Sequence, residues 1–538
     1  MVAGIVSSLD VALTRWRRAL GDEHVDADSN ELDRAATATY PTTPRVLAIL
    51  RPGCRDEVRE CVIIAQETGV PLYPISRGKN WGYGSRVPVR DGCAILDLSR
   101  LNRILDYDER LAYVTVEPGV TFRSLYQFLR EQRSDLLMSA TGSSPDASIV
   151  GNVLERGIGT GPYAERLGGS CDFEVVLPTG NVMRTGFGRY DGAAAPIYRW
   201  GVGPHVDGMF TQSNFGVVTR MTTWLTPCPD HLAMLTHRID DAAKLGPLAD
   251  RLQSLVIRGA IRPPVVLFND IRVFSFLTQY PWAETGGRAP LPDDLRQSLR
   301  QSPRFGGAVG AWTGEIAFTG VDRAQVAAQR AAVEARVCPL VDNCALIEAD
   351  RDELRDLLAH PNATPATSDL EHVLRQALLK RYLGIPLDVA LLQAYWRKRT
   401  PPPPPRDLDP DRDGCGLIWL GPVVPFTSEH VLRGVGILTE VMQKHGFDPA
   451  LSLQGTTERS VTIVGSIHYD RDVAGEDEQA IACYREANHE LARAGYYAYR
   501  QPTLSQGNGN GHDAYGNFLA TIKQAVDPNG VLAPGRGA

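Results

Sequence analysis

The sequence predicts an α+β fold made of two or three domains. Three observations carry that reading. Short apolar runs of strand length alternate irregularly with amphipathic helices, and four glycine-bearing loops fall between them from residue 78 to residue 216. The third is length, since 538 residues are enough for more than one domain with a core of its own.

The elements follow in order. Over residues 6–20, Leu9, Leu13, Trp16 and Leu20 recur at helical spacing and predict an amphipathic helix. A second helix is expected over Arg55–Thr68, where Pro52-Gly53 precede a stripe of Val58, Cys61, Val62 and Ala65 and Gly69 is a natural stop. Strands are expected at Pro71–Ile75, 94–98, 112–117 and 172–177, with a helix at 121–132. Together these define an α+β domain across residues 35–225. The middle of the chain predicts helices at 240–256, 324–338 and 349–359, and strands at Arg272–Leu277 and Glu315–Phe318. Residues 280–307 are rich in Pro and Gly and read as an excursion. Pro401–Pro405 favours an extended polyproline conformation, an exposed spacer or the edge of a lid. Strands at Leu417–Leu420 and Val461–Ile467 and helices at Glu429–Lys444 and 475–495 come next. The tail holds a turn, Asp527-Pro528-Asn529-Gly530, followed by Ala533-Pro534-Gly535-Arg536.

Composition excludes several classes of function. A formal charge of −7 gives no electrostatic reason to bind nucleic acid or an anionic membrane. The densest basic run, Arg397-Lys398-Arg399, reads as a solvated loop beside the proline tract. Nine cysteines are too few for a disulfide scaffold; Cys338 and Cys344 have no second pair to complete a metal site, and all nine read as buried or inert thiols. The histidines are dispersed, so no metal site is expected, and no G-x-S-x-G elbow supports a hydrolase. The absence of an apolar leader or a long apolar span leads to the expectation of a cytoplasmic protein with no membrane association.

The chemistry concentrates in the glycine loops: 78–84, Glu117-Pro118-Gly119-Val120, Gly151-Asn152 with Arg156–Gly159, and Thr211–Gly216. None fits a Rossmann fingerprint or a P-loop. Glycines let a backbone approach a ligand and expose successive N–H groups, which suits a pyrophosphate. Together the loops suggest an extended diphosphate cofactor lying across them. Further on, Tyr499 and Arg500 are adjacent; in a strand they would face opposite ways, but a turn lets a hydroxyl and a guanidinium reach one pocket, a pair able to hold a phenolate or carboxylate oxygen. The bland alternative is an aromatic strand with a surface arginine.

The motifs also match a family. Pro74–Gly84, Val116–Thr121, Gly151-Asn152 through Gly157, Pro162-Tyr163 with Glu174–Leu177, Asp207–Thr219 and Ala525–Arg536 resemble, in the same order, the vanillyl-alcohol oxidase and p-cresol methylhydroxylase flavoproteins. The resemblance implies a two-part FAD-binding domain of the p-cresol methylhydroxylase type, residues 1–230 with the returning segment 480–538, and an α+β cap over the flavin at 231–479. It implies FAD as cofactor, held by Ser76, Arg77, Gly78, Lys79, Asn80, Gly82, Pro118, Gly119, Ser143, Gly151, Asn152, Gly157, Gly216, Val217 and Arg536. It assigns Tyr83, Tyr499 and Arg500 to a phenolate-binding catalytic trio.

The departures from the family pattern also carry implications. Ser143 stands where the oxidase branch has an aspartate, and Leu417 where it has the flavin-linking histidine. The linking tyrosine of the methylhydroxylase branch falls at Ala394, next to Tyr395. The resemblance therefore implies FAD held without a covalent bond, with Tyr395 as the alternative anchor. Thr462 and Ile463 replace paired histidines, and a glutamate position falls near Ala390. The implied activity is oxidation of a para-substituted phenol, of the 4-alkylphenol or 4-hydroxybenzyl alcohol type, by hydride transfer to flavin N5. Two alternatives stay open: a non-phenolic alcohol or hydroxy acid whose carboxylate meets Arg500, or a non-catalytic binding or assembly subunit. The expected partners are a small aromatic substrate, a second copy in a homodimer, and a cytochrome or other electron acceptor.

Overall fold

The computed structural model describes residues 2–159, 163–361, 370–404, 407–506 and 513–537. Pro162, Pro405 and Ala538, which belong to motifs quoted above, lie outside them.

Three sheets organise the chain. The first contains β1 (Val25–Asp26), β2 (Val46–Leu50), β3 (Leu72–Ile75) and β4 (Cys93–Asp97) in the order β1-β2-β4-β3, with β4 parallel to both β2 and β3. Helices α1 (Val2–Leu20) and α3 (Arg55–Thr68) cover it through Trp16, Val58, Val62 and Ala65, and α2 (Ser29–Ala35) packs Ala35 against Val46, Ile49 and Ile95. The strands are near-continuous apolar runs, as strands buried on both faces require. The second sheet is antiparallel, in the order β5-β6-β10-β8-β9. It comprises β5 (Ile104–Asp108), β6 (Tyr113–Val116), β8 (Ser170–Val176), β9 (Val182–Arg184) and β10 (Val217–Trp224), while β7 (Leu136–Leu137) and β11 (Thr226–Pro227) form a separate ribbon. Its face packs on α4 (Phe122–Glu131), started by a Thr121–Ser124 capping box, and on α5 (Ile149–Leu154).

The third sheet is the largest. Its nine strands run β15-β12-β14-β13-β18-β19-β17-β20, with β16 also paired to β19. They are β12 (His231–Ile239), β13 (Val265–Asn269), β14 (Trp312–Gly320), β15 (Asn343–Asp350), β16 (Cys415–Leu420), β17 (Pro422–Pro425), β18 (Ala450–Gly455), β19 (Ser460–Asp470) and β20 (Tyr497–Ala498). Long helices at Leu245–Ile257, Arg323–Val337, Ser428–Lys444 and Glu476–Arg493 bury their apolar stripes against one face. The other face looks toward the first two sheets. The chain then returns: Ala514–Val526 packs Leu519, Ile522 and Val526 against the core of the second sheet. Leu532 bridges to Leu72 beside β3, with Leu72 N donating to Val531 O at 2.8 Å and Ala533 N to Leu72 O at 2.7 Å. The expected boundary at 480 falls inside the helix Glu476–Arg493, which packs on β16 and β19.

Three sequence expectations need correction. Arg272–Leu277 is not a strand but part of the helix Asp270–Leu277; the strand is Val265–Asn269 just before it. The Asn269 side chain caps that helix by accepting from Arg272 N at 3.0 Å, a start signal that the apolar run obscured. The run Arg397-Lys398-Arg399 is not a solvated loop. Arg397 and Lys398 are each 3% exposed. Arg397 pairs with Asp448 at 2.8 Å and Lys398 with Asp470 at 2.7 Å, because acids from remote strands converge on them. Cys338 and Cys344 are not free thiols but form a disulfide at the turn leading into β15.

Candidate functional site

A cleft of about 1210 Å³ runs between the two smaller sheets and the large one. Its floor is the β3 loop. Ser76, Arg77, Gly78, Lys79, Asn80 and Tyr83 all line it, and Gly78 (φ +64°) is in the left-handed conformation that glycine adopts without strain. Gly82 does not reach the cleft. Its φ is +77°, and a Cβ there would sit 2.1 Å from the Trp419 indole, so its role is to let Trp419 close over the loop. That loop is clamped from behind by Asp411, which accepts from Ser85 Oγ at 2.7 Å and Trp81 Nε1 at 3.1 Å. Burial is the main reason the Asp411 carboxyl is pushed up to about 7.

The second and third loops form a wall. Ser143, Gly151, Asn152 and Gly157 line the cleft, as do Gly216 and Val217 at the start of β10. Pro118 and Gly119 stand behind it. Pro118 O accepts from Ser148 Oγ at 2.5 Å, and a Cβ on Gly119 would meet Ser99 O at 2.4 Å, so this turn supports α5 and does not form the cleft surface. Tyr395 is likewise not brought to the cleft. Its hydroxyl donates to Asp413 at 2.6 Å, whereas Gln393, Ala394 and Leu417 are on the lining.

The trio expected from the sequence does converge. Tyr83 is buried, and the Arg500 guanidinium lies 4.0 Å over its ring. Tyr499 reaches the cleft because Gly421 leaves room for its ring, which a Cβ would meet at 2.8 Å, and because its N–H donates to Gly421 O at 3.0 Å. Gln212, itself at φ +48°, ties the Tyr499 and Glu155 carbonyls together. The Tyr83 hydroxyl is raised well above the usual tyrosine range, chiefly by burial and then by its Tyr499 neighbour, with Arg500 opposing. It therefore stays protonated as a hydrogen-bond donor.

Glu155 is the residue that the sequence reading missed, although it lies inside a quoted motif. Arg500 donates to it at 3.1 Å and to Asn80, and Arg536 from the tail pairs with the same carboxylate while donating to Tyr73 Oη at 2.8 Å. Two guanidiniums thus share one carboxylate, which leaves this end of the cleft positively charged. A second missed residue is Arg272, 1% exposed on the cap side, with Gln393 and Trp419 around it.

The residues present fit an extended dinucleotide. Asn152 Oδ1 and Ser213 Oγ are buried on the lining without a hydrogen-bond partner among the described residues, and Gly78, Gly151, Gly157 and Gly216 line it without side chains. Lys79 and Arg77 add positive charge along the floor. A cleft floored by such loops and closed by the chain's own tail defines an FAD-binding oxidoreductase.

Comparison with known proteins agrees. A family model for an FAD binding domain matches residues 46–186. The chain is 45% identical over 530 residues to a 1'-carboxy-chondrochloren decarboxylase of Chondromyces crocatus, covering 98% of this chain and 97% of the relative. It is 29% identical over 535 residues to the 4-cresol dehydrogenase (hydroxylating) flavoprotein subunit of Pseudomonas putida, covering 98% and 94%. Among solved structures, p-cresol methylhydroxylase with substrate bound superposes with a TM-score of 0.85 at 28% identity, covering 98% of this chain and 96% of that one. A 4-ethylphenol oxidase of Gulosibacter chungangensis shares the fold at the same TM-score and 24% identity, over 98% and 97% of the two chains. The chain belongs to the vanillyl-alcohol oxidase and p-cresol methylhydroxylase family of flavoproteins, and FAD is its cofactor. As an FAD-dependent oxidoreductase it is not the non-catalytic subunit held open above. No helix among the described residues is long and apolar enough to cross a membrane.

Proposed function

We propose that this protein oxidises para-substituted phenols, with Tyr83, Tyr499 and Arg500 receiving the phenolic oxygen. The observation that carries this is the surplus positive charge where Arg500 and Arg536 share Glu155, beside the protonated Tyr83 hydroxyl. Bound FAD supplies the hydride acceptor, N5. The chain's own contribution is to hold the phenol as its phenolate, which pushes electron density to the para carbon and weakens the benzylic C–H bond. Donors placed in advance around a charge that persists through the transition state are a large catalytic contribution. Ser76, Arg77, Gly78, Lys79, Asn80, Gly151, Asn152, Gly157, Gly216, Val217 and Arg536 are the residues we assign to FAD, with Ser143 near the flavin ring. A covalent anchor through Tyr395 is not supported by a hydroxyl held by Asp413. The test is anaerobic mixing with a panel of 4-alkylphenols: bleaching of the flavin band is expected, and an unchanged spectrum across the panel sinks the reading.

A second outcome for the same site is favoured by the relative at 45% identity, which is named for a decarboxylation. Loss of hydride from the benzylic carbon leaves a quinone methide. If the adjacent carbon bears a carboxylate, its C–C electron pair can move into a new C=C bond as CO₂ departs, restoring the phenolate. The alternative of a hydroxy acid bound by Arg500 has less support, since Glu155 and Asn80 already take that guanidinium's donors. A homodimer, an electron acceptor such as a cytochrome, a cytoplasmic location and the division into a flavin part and a cap at 231–479 belong to the same proposal on family resemblance.

A further inference from the structure

The cap side of the cleft carries a positive charge with no anion to match it. Arg272 is 1% exposed and lines the cleft. Its Nη1 donates to Gln393 Oε1 at 2.7 Å, and its Nη2 donates to the carbonyls of Ala450 at 2.8 Å and Val464 at 3.2 Å. All three acceptors are neutral. Nε is buried with no acceptor among the described residues, so three of the five guanidinium protons are engaged and two remain. The neighbouring His468 is held neutral by burial and then by Arg272 and Arg397, so it adds no second cation there. The other cap-side guanidiniums on the lining are matched: Arg238 with Asp240, Arg375 with Glu353, and Arg381 with Glu315.

Position adds to this. The Arg272 guanidinium lies 5.3 Å from the Trp419 ring, and the same indole stacks on Tyr83 with centroids 6.5 Å apart. Trp419 therefore neighbours both the trio proposed to receive a phenolic oxygen and a second cation on the cap side. A buried guanidinium without a counter-ion is costly, and its planar fork matches a carboxylate.

We propose that Arg272, held in place by Gln393, binds a carboxylate on the substrate's para side chain. The substrate class is then a 4-hydroxyphenyl compound with an anionic side chain, gripped at both ends. This rests on the phenol reading above, which supplies the other end.

The test uses the FAD-loaded protein and a matched pair of ligands, 3-(4-hydroxyphenyl)propionate and 4-propylphenol. Anaerobic stopped-flow reduction separates Kd from the limiting rate for each. The wild type should bind the acid more tightly by ~10–100-fold, the value of a charge-assisted hydrogen-bonded pair. In Arg272→Gln the ratio of the two Kd values should collapse toward one, with the change in Kd exceeding that in the limiting rate. Because the readout is a ratio within one preparation, partial loss of folded protein cancels. Gln393→Glu keeps Arg272 but gives it an internal counter-charge, and should abolish the preference too; it decides the matter if Arg272→Gln does not fold. Equal binding of the two ligands by the wild type, or a ratio unmoved by both variants, overturns the carboxylate subsite and leaves the phenol reading standing. Failure of both ligands to reduce the wild-type flavin overturns the phenol reading and this proposal with it.

Discussion

Arg500, over the Tyr83 ring, and Arg272, over the Trp419 ring, are balanced in opposite ways. Arg500 shares the Glu155 carboxylate with Arg536 and donates to Asn80, so its charge is partly met by the protein before any ligand arrives. Arg272 has only neutral acceptors and is held by the Gln393 side chain and two backbone carbonyls. The difference teaches what each site is built to do. On the proposed reading, the first end keeps a modest surplus of charge that a forming phenolate meets, while the second keeps a full charge that only an incoming anion neutralises. One is suited to tuning a reacting group and the other to selecting a substrate.

That contrast can be broken most severely through the helix that carries Arg272. Asp270 begins it, is fully buried, and is paired with Arg296 at 2.7 Å and with Arg300. Asp270→Ala leaves two guanidiniums facing an empty buried position and should cost about 3–5 kcal/mol of stability. A loss of unfolding free energy in urea below about 1 kcal/mol, the range of an exposed pair, would show that the cap-side charges are not buried as described.

Next in size is Arg500→Ala. It should slow flavin reduction by 4-alkylphenols by ~10²–10³-fold, the usual effect of removing one preorganised donor. The loss should appear in the limiting rate. A change confined to Kd would make Arg500 a binding group like Arg272 and erase the distinction drawn between them.

The smallest effect concerns the clamp behind the flavin loop. Burial raises the Asp411 carboxyl to about 7, so between its unfolded value and that pH the native state holds a proton that the unfolded chain has released. Stability therefore falls as pH rises through this window and levels off above it. Asp411→Asn should flatten the fall of Tm between about pH 5 and about pH 8. An unaltered pH slope in the variant would mean that another group titrates there, and would detach the clamp from the flavin side of the comparison.

How much of this was legible differs residue by residue. Gly78, Gly151 and Gly157, which line the cleft, stood out because glycine loops declare themselves in consecutive residues. The helix Arg55–Thr68 was readable to its ends, since its stripe and its Gly69 stop are local. Asp270–Leu277 was misread as a strand because its apolar residues are short-range ambiguous, and the Asn269 cap that settles it is a single side-chain hydrogen bond.

Sequence alone was enough for the family and the cofactor, because these rest on motifs whose spacing is set by the backbone close at hand. The charge state of the site required the folded chain. Arg500 meets Glu155 across 345 positions, Lys398 meets Asp470 across 72, and Arg272 is set apart by what does not come near it. Electrostatic balance depends on distance through space and on exclusion of water. Neither is written in the order of residues until the strands that carry them are paired.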